Sequence, residues 1–88
     1  MKLTNKECKV LFRINEEEAV INQERFPEFP ELTKEEIIKA IEKLKLERFI
    51  EINHKDKEIL KTTDKGEQFI LNYPKLFEDI KKEFAKNC

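Results

Sequence analysis

His54 is the only histidine in the chain, and it lies close to Asp56, a placement in which a carboxylate could orient an imidazole as a general base. No partner nucleophile, glycine-rich phosphate loop or metal-ligand cluster accompanies it, so a polar residue at the tip of a turn is the reading that fits the surrounding Asn53-His54-Lys55-Asp56-Lys57. The run Glu16-Glu17-Glu18 could attract a cation, but calcium loops intersperse Asp, Asn and Gly, and a solvated helix start accounts for the run. Cys8 and Cys88 are the only thiols. Two cysteines make neither a disulfide framework nor a zinc site. Cys8 falls inside a helical apolar pattern, where a small buried thiol is expected, and Cys88 is the last residue. Nothing here points to an enzyme, a metal or a cofactor.

What remains is charge. The chain has 88 residues, 42% of them charged, with 18 Lys+Arg against 19 Asp+Glu and a net charge of −1. Dedicated nucleic-acid proteins more often carry a basic excess. The local balance is uneven. Residues 14–31 hold Glu16, Glu17, Glu18, Glu24, Glu28 and Glu31 against Arg25, while residues 1–13 hold Lys2, Lys6, Lys9 and Arg13 against Glu7. Segment 32–66 mixes nine bases with eight acids. A chain of this length suits one domain over 1–88, and the periodic Ile, Leu and Phe positions mark it as folded and helical. The segment Met1–Lys9 lacks the apolar stretch of a signal peptide, and no run approaches the roughly 18 apolar residues of a membrane span, so a cytoplasmic location is expected.

The elements that must position these charges follow from period and punctuation. A first helix starts after Thr4 or Asn5, with Cys8, Val10, Leu11, Phe12 and Ile14 as its apolar side. A second helical stretch is expected over Glu16 to Arg25, ended by Phe26-Pro27-Glu28-Phe29-Pro30, whose prolines force extended backbone. Thr33-Lys34-Glu35-Glu36 reads as a capping box, followed by the buried stripe Ile37, Ala40, Ile41 and Leu44 and the exposed set Glu35, Lys39, Glu42 and Lys43. That helix is expected to end near Lys45, with Leu46 packing in the turn. The period then changes. Phe49–Ile52 and Glu58–Thr62 read as two strands around a polar turn. Phe69, Ile70 and Tyr73 recur at helical spacing, and a last helix runs from Pro74 to about Lys86, with Leu76 or Phe77, Ile80 and Phe84 as its stripe.

This order of elements resembles the winged-helix branch of the helix-turn-helix domains: an α+β, mostly helical fold with a three-helix core over about 5–73, a two-stranded wing and additional C-terminal helices. The residues that carry the resemblance are Glu36-Ile37-Ile38-Lys39-Ala40-Ile41-Glu42-Lys43-Leu44, similar to a recognition helix, Leu46-Glu47-Arg48-Phe49-Ile50, similar to the helix-to-strand exit, and Ile59-Leu60-Lys61-Thr62-Thr63-Asp64-Lys65-Gly66, similar to the strand-to-helix junction of MarR-like and PadR-like regulators. There a Thr caps the helix and a Gly allows close packing. The connection from Glu24 to Leu32 is longer than the tight turn usual in that fold.

The resemblance implies a small transcription regulator that binds duplex DNA. Thr33, Lys34, Lys39 and Lys43 would face the major groove, with His54, Lys55 and Lys57 on the wing and Lys2 and Lys6 reaching flanking phosphates. It also implies a homodimer through the C-terminal helix, the symmetry suited to palindromic sites, with packing of that helix onto its own domain as the alternative. Glu35 and Glu42 on the same face oppose a phosphate wall. The alternative is a protein-interaction module on the same scaffold, using the Phe26 and Phe29 loop.

Overall fold

The computed structural model describes residues 3–17, 32–53 and 60–86. These form α1 (Asn5–Glu17), α2 (Lys34–Leu46), β1 (Ile50–Ile52), β2 (Leu60–Thr62), α3 (Asp64–Asn72) and α4 (Pro74–Lys86). The chain is therefore α+β and mostly helical, with one antiparallel hairpin among the described residues. The helix expected over Glu16 to Arg25 reaches into residues outside this set. So do the Phe26–Pro30 loop and the turn bearing His54, Lys55 and Lys57.

α1 is the element the others pack around, touching α2, β2, α3 and α4. That is why its apolar residues are not confined to one stripe: Cys8, Val10, Leu11, Phe12 and Ile14 are all buried. Thr4 caps it, accepting from the Glu7 N–H while the Glu7 carboxylate accepts from the Thr4 N–H. α2 starts on a second capping box of the same kind, Thr33 with Glu36, and buries Ile37, Ala40, Ile41 and Leu44 as the spacing requires.

α2 ends differently from expectation. Leu46 is the last helical residue and 84% exposed, because at 3.6 residues per turn it falls opposite Ile37 and Leu44. Phe49 fills the role instead. Its N–H returns to the Leu44 carbonyl and the Arg48 N–H to that of Lys45, a Schellman closure with Arg48 at φ 61°. Phe49 and Leu44 are both buried in the core.

The strands are short, Ile50 pairing with Thr62, Glu51 with Lys61 and Ile52 with Leu60. Thr63 extends the ladder by donating to the Phe49 carbonyl, then caps α3 by accepting from Gly66 N–H. Gly66 is buried because nothing larger fits. A Cβ there would stand 2.2 Å from the Phe49 carbonyl oxygen and 2.6 Å from Thr62 Cγ2. On α3, the Phe69 ring lies 5.0 Å from that of Phe49, 4.9 Å from Tyr73 and 6.2 Å from Phe77, joining α3 to the α2 exit and to α4. Phe77 and Ile80 of α4 are buried in the same core. None of the described helices is long and apolar enough to cross a membrane.

Candidate nucleic-acid interface

α2 turns Lys34, Glu35, Lys39, Glu42, Lys45 and Leu46 to solvent, and the hairpin follows it directly. The buried Ile37, Ala40, Ile41 and Leu44 fix this rotation, so the outer face is a consequence of the core stripe. The expected site residues divide by what else they hold. Thr33 commits its hydroxyl oxygen to the Glu36 N–H as the cap of α2. Lys34 is exposed and makes no ion pair among the described residues.

Lys39 lies 3.6 Å from Glu35, both side chains about three-quarters exposed at 74% and 79%. Such an i,i+4 pair contributes about 0.3–0.5 kcal/mol, so a phosphate could displace the glutamate at little cost. Lys43 is held otherwise. It bonds at 3.2 Å to Glu7, whose side chain is only 14% exposed and also closes the cap of α1. Lys43 lies on the flank of α2 that faces α1, away from the outer face where the sequence put it. Lys6, expected near phosphates, pairs across the same interface with Glu36. Each helix thus offers a lysine to the other's capping glutamate. The Glu36 carboxyl is held below its ordinary range by the Lys6 ammonium, with the Thr33 N–H adding to the effect. His54, Lys55 and Lys57 lie outside the described residues.

The opposite end of α2 is closed without a capping carboxylate. Its last carbonyls accept from backbone and from Lys65, whose ammonium donates to the Glu47 carbonyl at 2.9 Å and sits 5.2 Å above the Phe49 ring. Thr63 donates its hydroxyl to the Arg48 carbonyl at 2.6 Å. Carbonyls need no carboxylate partner, and Lys45 and Arg48 make no ion pair among the described residues. Sequence reasoning passed over both. The structure shows why: α2 closes through a left-handed residue, and with no glycine there Arg48 takes that conformation at a cost of about 1 kcal/mol. Arg48 borders two adjoining clefts, one shared with Lys45, Ile50 and Ile52 and the other with Lys61 and Lys65.

Cys8 is fully buried, and burial together with the neighbouring Glu7 charge pushes its thiol up to about 11, which makes it a packing residue and a poor nucleophile. Among the described residues, no three His, Cys, Asp or Glu side chains converge as metal ligands. Comparisons of the chain with known protein families, curated proteins and solved structures gave no match.

Proposed function

We propose that this chain is a winged-helix module that binds duplex DNA and regulates transcription by occupying its site. α2 enters the major groove and the hairpin turn lies on the backbone. The observation that carries this reading is the outer face of α2, which no described element covers and which leads straight into the hairpin. Lys34 and Lys39 are its phosphate-facing cations, joined by Lys55 and Lys57 from the turn. Lys43 is set aside because Glu7 holds it. With Glu35 and Glu42 interleaved, the face favours backbone contact over base reading.

Fluorescence anisotropy with a labelled mixed-sequence duplex at about 50 mM salt tests this. Binding is expected, weakening as salt rises. Lys34→Ala with Lys39→Ala should lower the slope of log K against log salt by about 2, and Lys55→Ala with Lys57→Ala by a similar amount. Lys43→Ala should change it little, while Glu35→Gln with Glu42→Gln should tighten binding. No binding at low salt, or a slope indifferent to the lysine substitutions, would sink the proposal.

A further inference from the structure

Among the described residues, one edge of β1 is left open. Thr63 donates to the Phe49 carbonyl, and in an antiparallel ladder the bonding positions alternate, so Glu51 faces β2 while the N–H and C=O of Ile50 and Ile52 point the other way. Among the described residues the sheet has two strands, and none of those residues pairs with that outward edge. It does not meet flat solvent. A groove of about 560 Å³ borders it, with Ile50 and Ile52 as its apolar surface and Lys45, Arg48, Asn53 and Thr63 around them. Ile50 is almost fully buried at its base, whereas Ile52 is 42% exposed.

The unpaired charge of this groove has one sign. Lys45 and Arg48 make no ion pair among the described residues, whereas Glu51, the one acid along the groove, is paired with Lys61 at 3.2 Å. Arg48 occupies the position where helices that close in this way usually have glycine. Backbone geometry alone would select glycine there, so the guanidinium at the rim is what the arginine adds.

We infer that this groove binds an extended acidic peptide segment of a partner protein, which adds as a strand to the open edge of β1. Its backbone bonds to the outward groups of Ile50 and Ile52, an apolar side chain covers Ile52, and flanking carboxylates meet Lys45 and Arg48. A DNA backbone offers phosphates to the cations but no alternating donors and acceptors for a strand edge. The inference does not depend on DNA binding, because its cations, Lys45 and Arg48, are not Lys34 and Lys39, the pair of α2 assigned to phosphates.

The test uses the whole chain and a labelled peptide of alternating Glu and Val, with a Lys and Val peptide as its counterpart. The acidic peptide is expected to bind at least about tenfold more tightly than the basic one, and Lys45→Glu with Arg48→Glu to remove most of that preference. Lys81→Glu on α4, which borders neither cleft, should leave it intact. Amide hydrogen exchange supplies the geometric readout. Ile50 and Ile52 should slow on adding the peptide, and Glu51, already turned to β2, should change little. Thermal melts check that the doubly substituted chain is folded; should it not be, the exchange pattern and the two-peptide comparison on the unaltered chain decide. Equal binding of the two peptides, no binding of the acidic one, or unchanged exchange at Ile50 and Ile52 would overturn the inference. So would a folded Lys45→Glu, Arg48→Glu chain that loses the duplex yet keeps the acidic peptide.

Discussion

The two ends of α2 are finished by different chemistry. At its start, carboxylates do the work: Glu36 closes the Thr33 cap and takes Lys6, just as Glu7 closes the Thr4 cap and takes Lys43. At its finish, carbonyls and one hydroxyl do it, through the Schellman closure, Thr63 and Lys65. The carboxylate that closes the first end takes Lys6, whereas the closure of the second end leaves Lys45 and Arg48 without an ion pair among the described residues. Charge available to a partner therefore follows from how the backbone is capped, and a count of lysines along the helix cannot reveal it. The two ends should also fail differently when altered.

The largest effect is expected at the second end, where backbone and side-chain groups are closely packed. Gly66→Ala would ordinarily favour a helix by roughly 0.5–1 kcal/mol. Here the added methyl meets the Phe49 carbonyl oxygen and Thr62 Cγ2, so the sign reverses. A loss of about 3 kcal/mol is expected, lowering the thermal midpoint by on the order of 15 °C. A Gly66→Ala chain that melts at the normal temperature would show that the joint between α2, the hairpin and α3 is looser than described. Thr63→Ala comes next. It removes the cap of α3 and the donor to the Arg48 carbonyl together, for about 2 kcal/mol by urea unfolding, and Thr63→Ser should restore most of it.

That joint was also the part most legible in the residues. The Thr33 box, the Ile37, Ala40, Ile41 and Leu44 stripe, the change of period at Phe49 and the Thr63 and Gly66 pair are all local patterns, each specified within a few positions. The candidate site was less legible because its decisive facts are not local. Lys43 and Glu7 are 36 positions apart and Lys6 and Glu36 are 30, and in so charged a chain many pairings look equally good beforehand. Leu46 was misplaced by treating apolarity as burial, although its phase on the helix already put it outside. Arg48 was missed because a left-handed residue is advertised by glycine, and here an arginine holds the position.

The smallest expected effect separates the two ends by pH. Glu36 titrates below its ordinary range in the folded chain, mainly because the Lys6 ammonium favours the carboxylate. A group with a lowered folded pKa stabilises the fold above the unfolded value, about 4.3 for Glu, and that contribution is lost as pH falls through the lowered folded value. Glu36→Gln can still accept from the Thr33 N–H but cannot attract Lys6. Urea midpoints should therefore place this variant slightly below the unaltered chain at pH 7, and the gap should close as the medium is acidified past the carboxylate range. The Thr63→Ala gap has no carboxylate in it and should persist over the same interval. If the Glu36→Gln gap stayed constant with pH, the pairing with Lys6 would contribute nothing to folding, and the contrast between the two ends of α2 would reduce to their backbone bonds alone.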